Sequence, residues 1–505
     1  MRFAKGTVAA VLVVAVGCAS GAAFLCPARG GPTWRDVGSD HFVLRTDLDL
    51  DDATRLLARL ERLRTAVVSA LFDEVPASRA GVEVVAFRSA KTYRDFAPPG
   101  VDAYYLRSAG GPPRIVVAGK LDSRQRAMLA HELTHHYLSL VFLRQPRWFS
   151  EGLATLMEPV GDQGDGPFMT VGQAPAARLG RLRNAGARVP TRELLTWEGG
   201  STATHPALDH YASSWLLVHF LAYRSPERFN DLQQRLVRGE SPAAAWRGAF
   251  PAWDPALPRA LESLDYQLEA YLAGEAQTRS RRVAETWRTE PLVRLIPAPE
   301  VHAIRLGLWN IGPDKGARAL RAEVDEALAE DPDHPLALQH LAAMTGEPPL
   351  PLARRAVASH PDDPRAWTFL ASSLKGAPFD DERIAAYRTA ASLAEGNAAA
   401  LHNLAVELLA QGQSGQALPV AREAVRLAPW SPPLLDAYAA VLIDLGQCLK
   451  AVEMQQRALE VFPERSDDAA RQALKDRLQQ YRVHCRLDPA PSPAPVPPSA
   501  PAPGR

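Results

Sequence analysis

The chain has 505 residues, of which 47% are hydrophobic and 23% charged, with Lys+Arg and Asp+Glu balanced at 57 each. At about 150 residues per domain this length calls for two or three folded units, and the composition is that of a globular protein. The even charge leaves no basic field for nucleic acid, and four cysteines are too few for a disulfide framework to carry the fold.

In chain order, Arg2 and Lys5 precede an uncharged run over 6–28 whose most apolar part is 8–16, the charge and apolar order of an export signal. Ala15, Val16 and Gly17 before Cys18 resemble the bacterial lipobox, with Ala15 where Leu is usual. That resemblance implies lipidation at Cys18. An uncleaved signal anchor competes with it, because the run is also long enough to span a bilayer, and a released secreted protein is a third reading. The expected organisation begins with a signal or part of an anchor over 1–17 and a tether over 18–32. In each case the folded part lies outside the cytoplasm, and the first two leave it in the cell envelope, attached to the membrane through its N-terminus.

A strand is predicted over 41–45, followed by acidic turn residues and a helix over 53–72 opened by Asp51, Asp52 and Thr54. In that helix Leu56, Leu57, Leu60, Leu63, Val67 and Leu71 recur at three- and four-residue steps, the period of an amphipathic helix. Strands follow at 82–87, 103–106 and 114–118, bounded by Gly or Pro turns. Asp122 or Ser123 caps a helix running to about 142, Pro146 marks its end, and a second helix over 149–157 is stopped by Pro159. Further helices are predicted over 211–223 and 258–273. Sheet first and helices after it make an α+β domain over 33–280, and 281–313 reads as a linker.

From 314 to 486 the chain turns to Ala-rich helical pairs. Repeats of 34 residues beginning at Ala398 and Pro432 align Ala405 with Ala439, Gly412 with Gly446, Ala417 with Ala451, Ala424 with Ala458, and Pro429 with Pro463. A third unit begins at Pro364, with Glu395 where Pro is expected, and Pro332 and Pro361 mark a degenerate unit shortened to 29 residues. This register resembles the tetratricopeptide repeat (TPR), whose small residues let two helices pack closely. The resemblance implies an all-α solenoid that binds a protein partner. Cys448 and Cys485 could pair or remain as buried thiols. The Pro-, Ala- and Ser-rich stretch 487–505 builds no core and reads as a disordered or extended tail.

The chemistry lies in HELTHHYL over 131–138. His131 and His135 are separated on a helix by about 40° of rotation and about 6 Å along the axis, so both imidazoles reach one metal ion. Glu132, about 100° further round, can hold a water without ligating the metal. His136 is about 140° from His131 and points elsewhere, as a core histidine or a support for the ligands. In PRWFSEGLATLME over 146–158, Glu151 follows His135 after fifteen residues, room for the helix to end and a second one to come alongside.

HELTH followed by WFSEGLA resembles the gluzincin branch of zinc peptidases. Together WRDVGSDHFVLRTD, HELTHHYL and WFSEGLATL resemble the exported DUF1570, or peptidase MA-like, type over about 33–273. The resemblance implies a zincin-like fold, Zn2+ on His131, His135 and Glu151, and Glu132 as general base. Thermolysin-type members carry an Asp four residues after the Glu ligand, where this chain has Thr155, so a carboxylate orienting the first histidine has to come from elsewhere.

Two neutral imidazoles and one carboxylate leave a fourth tetrahedral position for water, whose proton Glu132 can take and later return to a leaving amine. Tyr211 is the first candidate for the oxyanion donor, weighed against a packing role, with His210 and Arg147 behind it. Trp148 and Phe149 read as core residues that fix Glu151, and His205 as a loop residue. Tyr104 and Tyr105 lie on a strand that could align an extended peptide by β-augmentation. The reading is an exported, membrane-tethered zinc peptidase acting on a peptide or protein substrate, an α+β zincin-like metallopeptidase domain followed by an all-α TPR solenoid. The alternative is a metallopeptidase-like scaffold that no longer hydrolyses, with the TPR repeats as its functional surface.

Overall fold

A computed structural model describes residues 25, 27–72, 82–97, 103–106, 113–119, 122–142, 145–162, 168–198, 201–274, 277–282, 290–309, 317–462 and 468–487. The export signal, Cys18, most of the tether and nearly all of the Pro-rich tail lie outside the described residues. Among the described residues no helix is long and apolar enough to cross a membrane.

Eight strands are described: β1 (Trp34–Gly38), β2 (Phe42–Thr46), β3 (Val82–Phe87), β4 (Ala103–Leu106), β5 (Arg114–Ala118), β6 (Phe168–Val171), β7 (Arg279–Arg282) and β8 (Leu292–Ile296). Six form one sheet in the order β4-β5-β3-β2-β1-β8, and β6 pairs with β7. The central pairs β2/β3 and β3/β5 are parallel, whereas β4/β5, β1/β2 and β1/β8 are antiparallel. The first ten helices are α1 (Leu50–Leu71), α2 (Ala90–Arg94), α3 (Ser123–Val141), α4 (Arg147–Met157), α5 (Ala176–Leu182), α6 (Thr191–Thr196), α7 (Ala207–Arg224), α8 (Pro226–Val237), α9 (Pro242–Ala249) and α10 (Ala260–Leu272).

Every residue of β3 is buried, which requires a helical layer on each face of the sheet. The side chains divide with period two. Val82, Val84 and Ala86 join the large core built with α1, α3, α4 and α7, while Val85 and Phe87 join a second core on the opposite face. Helix α1 lines the first core; its start is fixed by Asp49 accepting from the Asp52 amide, and it buries Leu56, Leu57, Leu60, Leu63 and Val67.

The second core overturns the expected linker. Residues 281–313 include β8, which adds to the sheet edge beside β1, and α11 (Ala298–Trp309). Val301, Ile304 and Leu308 of α11 pack on Trp34, Val85, Phe87 and Phe96. The first domain therefore extends to about 309, because the apolar back face of the sheet would otherwise be bare to water. β1 was also not expected as a strand. Its charges are taken up locally, Asp36 by Arg45 at 3.4 Å and Arg294 at 2.6 Å.

The C-terminal part is helical: α12 (Ala317–Glu330), α13 (Pro335–Thr345), α14 (Pro349–Ser359), α15 (Pro364–Ser373), α16 (Asp380–Leu393), α17 (Ala398–Ala410), α18 (Ser414–Leu427), α19 (Pro432–Asp444), α20 (Cys448–Glu460) and α21 (Asp468–His484). The pairs α13/α14, α15/α16, α17/α18 and α19/α20 begin at Pro335, Pro364, Ala398 and Pro432, so the 29- and 34-residue spacings read from the sequence recur as TPR-like helical repeats. Gly412 and Gly446 lie in the turns between the two helices of the last two pairs, at φ of 69° and 71°, where a side chain would be strained. Cys448 and Cys485 form a disulfide, the first of the two states left open by the sequence. The solenoid grows out of the sheet's cover: the buried Glu323 of α12 receives His302 of α11 at 2.7 Å and a two-pronged contact from Arg305 at 2.9 Å.

Candidate metal centre

Helix α3 starts at a capping box in which Asp122 accepts from the Gln125 amide and the Gln125 side chain from the Asp122 amide. With the helix phase fixed there, His131 and His135 emerge on one side, 14% exposed each. Helix α4 is buried from Trp148 to Met157. Trp148 meets Trp246 at 5.6 Å and Phe149 meets Phe142 at 5.1 Å, so the aromatic pair before Glu151 is core, as expected. Gly152 permits a close helix crossing: a Cβ there would lie 2.5 Å from the Ser214 carbonyl oxygen and 2.5 Å from Val218 of α7.

These supports bring three donors together. The two imidazole Nε2 atoms are 3.1 Å apart, and each is 3.3 Å from Oε2 of Glu151. A tetrahedral ion with bonds of about 2.0–2.1 Å would hold its ligand atoms about 3.3–3.4 Å apart. The His131, His135 and Glu151 donors thus have the separation and the chemistry of a zinc triad. Among the described residues this is the one His/Cys/Asp/Glu group of three whose donor atoms lie within 4.8 Å of one another.

The hydrogen bonds behind the donors leave each Nε2 available. His131 Nδ1 lies 3.1 Å from Oε1 of Glu158, and a carboxylate only accepts, so Nδ1 carries a proton and Nε2 is the atom turned toward the other donors. Ser150 donates its hydroxyl to Gln145 at 3.2 Å and is left to accept from His135 Nδ1 at 2.9 Å. The other oxygen of Glu151 faces Arg147 at 3.4 Å. In the metal-free chain, burial opposes ionisation of Glu151, but the two imidazoles and Arg147 outweigh it and hold the carboxyl well below its usual range. Burial likewise opposes charging of His131, yet Glu151 and Glu158 carry it up to about 10.

Glu158 resolves the missing orienting carboxylate. Thr155 is buried, its hydroxyl without a hydrogen-bond partner among the described residues. Glu158 stands one further turn along and takes over, held from behind by Arg178 at 2.8 Å. Glu158 was not singled out from the sequence. Its signal was the period: seven residues beyond Glu151 is two helical turns, which returns to the same face within about 20°.

The remaining candidates sort by contact. The Tyr211 ring has the Arg178 guanidinium 5.6 Å from its centroid and the Trp197 ring at 5.7 Å, which ties it to the Glu158 side of the site. His210 is buried, stacked on Trp197 and bonded to Glu193 at 3.0 Å. His205, in the loop before α7, binds the same Glu193 at 3.2 Å. His136 is buried among the rings of Tyr105, Tyr137 and Trp430. β4 is an edge strand, with the Tyr104 hydroxyl donating to the Phe96 carbonyl at 2.9 Å.

Residues 126–241, which contain His131, Glu132, His135, Glu151, Glu158 and Tyr211, match the family described as "Protein of unknown function (DUF1570)". No curated protein matches the chain. Among solved structures, the chain is similar to a thermophilic TPR protein of Thermus thermophilus at 18% identity, over 36% of this chain and 95% of that one, with a TM-score of 0.28. It is similar to PilW, a type IV pilus biogenesis factor, at 18% identity over 38% and 89% with a TM-score of 0.31. It is also similar to yeast Tom70, at 12% identity over 72% and 88% with a TM-score of 0.31.

Proposed function

We propose that the chain is an exported, membrane-tethered zinc-dependent peptidase whose TPR-like repeats engage a protein partner. The convergence of His131 Nε2, His135 Nε2 and Glu151 Oε2 at 3.1–3.3 Å carries this reading. Zinc bound by these residues would supply a Lewis acid that lowers the pKa of water and polarises an amide carbonyl. Glu132, next to His131 on α3, takes the proton of the attacking water and delivers it to the leaving amine, so that the amide is cleaved without net proton change. Tyr211 donates a hydrogen bond to the developing oxyanion. The first residues of the chain, through Cys18 or an apolar anchor, provide the membrane attachment.

The test is metal analysis joined to a peptide-library cleavage assay. The expected outcome is about one zinc per chain, and Glu132→Gln that keeps zinc and fold but loses hydrolysis. Purified folded protein without zinc would overturn the proposal. Zinc with no cleavage of any peptide would leave the non-hydrolysing scaffold.

A further inference from the structure

Among the described residues the solenoid touches the first domain near both of its ends. At its start, α11 covers the back of the sheet and is joined to α12 by the buried Glu323 contacts. Near its end, Trp430, in the turn between α18 and α19 and 2% exposed, sits 5.4 Å from the ring of His136. His136 directly follows the ligand His135, and Leu140, one turn further along α3, packs into the same cluster as Trp430, Leu434, Leu435 and Leu474. In α21, Arg471 lies 3.4 Å from Glu198, the neighbour of Trp197, whose ring contacts Tyr211. The C-terminal end of the solenoid thus meets both the metal-bearing helix and the segment that packs on Tyr211.

An arc anchored at both ends to one body cannot swing clear of it as a flexibly linked module would. Its end is further held by the Cys448–Cys485 disulfide, which ties α20 to the residue after α21, and by Arg477 to Asp436 at 2.7 Å. From these contacts we infer that the solenoid's C-terminal end stands over the approach to the metal centre and admits flexible polypeptide segments while excluding folded protein surfaces. The inference rests on the peptidase reading above and names the substrate class of that site. Its chemical sense is that an amide must reach the metal and Glu132 in an extended, near-attack pose. An unfolded segment adopts that pose in a confined space, and a loop on a bulky body does not.

The experiment uses the full zinc-loaded chain and a peptide hydroxamate, a zinc-chelating probe, either free or joined by a short linker to a folded carrier protein. Wild type should bind the free probe at least about tenfold more tightly than the carrier-linked one. Trp430→Ala should narrow that gap, and so should Cys448→Ser with Cys485→Ser, which removes one tie on α21 while leaving Trp430 in place. If Trp430→Ala fails to fold, the cysteine variant decides the question. Equal binding of the two probes by wild type overturns the inference, as does a gap unchanged in folded variants. Probe binding needs no turnover, so a chain that binds the free probe but cleaves nothing overturns the peptidase reading separately. A chain without zinc overturns both.

Discussion

Gly152→Ala tests whether the crossing of α4 and α7 places Glu151. A methyl group there would lie 2.5 Å from the Ser214 carbonyl oxygen, 3.0 Å from the Ser214 carbonyl carbon and 2.5 Å from Val218 Cγ2. Val218 could rotate, but the Ser214 contacts are backbone within a helix, so α4 and α7 must part by about 1 Å to restore ordinary contact in a close-packed core. Overpacking of this kind costs about 3 kcal/mol at the upper end of its usual range. The helix propensity gained by replacing Gly offsets about 1 kcal/mol, leaving a net loss of about 2 kcal/mol. Because Glu151 precedes Gly152, the same shift pulls its carboxylate from the two Nε2 atoms, and zinc affinity should fall with stability. Gly180→Ala is the control. Gly180 lies in α5 with nothing within 4 Å of its Cβ position, so only the propensity term operates, and stability should rise by up to about 1 kcal/mol. Urea unfolding followed by tryptophan fluorescence reads both, since Trp148 and Trp215 lie on the two crossing helices. If Gly152→Ala is as stable as wild type and holds zinc as tightly, the close crossing does not position the ligand.

Glu158→Ala removes the carboxylate behind His131 and should weaken zinc binding by about tenfold in chelator competition, the lower end of the usual range, because the same carboxylate also holds the competing proton on the metal-free ring. An unchanged affinity would assign the orienting role elsewhere. Truncation at residue 280 removes β8 and α11 and strips Ile296, Val301, Ile304 and Leu308 from the back of the sheet; it should give insoluble or molten protein, and a well-folded fragment by near-ultraviolet circular dichroism would show that the back face needs no cover. Glu323 gives a pH prediction: although burial opposes its ionisation, Arg305 and His302 hold its carboxyl down at about 2, against an ordinary 4.5. A depressed folded pKa means stability that is complete above 4.5 and lost as pH falls toward 2, here about 3 kcal/mol. The stability difference between wild type and Glu323→Gln should therefore shrink over that window, and a difference independent of pH would exclude ionic stabilisation by this residue.

Much of the sheet was legible because its strands are short apolar runs between turn residues: β3, β4 and β5 have the bounds expected from the sequence. The convergence of His131, His135 and Glu151 was legible for a related reason. His131 and His135 are joined by helix geometry alone, and Glu151 lies on the next helix, so little tertiary information is needed to bring them together. What stayed hidden depends on long-range pairing. β8 (LVRLI) and α11 both fell in the stretch read as a linker, because the one needs β1 as partner strand and the other needs the back of β3 to cover before either is recognisable.

The same distinction runs through the site. Glu158 could have been found by counting seven residues from Glu151, because its position is set within one helical stretch. Arg178, which fixes Glu158 and faces Tyr211, comes from α5 beyond the β6 strand; no period links it to the ligands. Trp430 reaches His136 across most of the chain. Local helix geometry can thus specify which donor atoms converge, whereas residues that pack behind them, such as Arg178 and Trp430, are recruited by the fold. The departure at Thr155 is therefore offset by Glu158, which caps the C-terminal end of the helix that carries Glu151 and reaches His131 Nδ1 at 3.1 Å, the contact an orienting carboxylate requires.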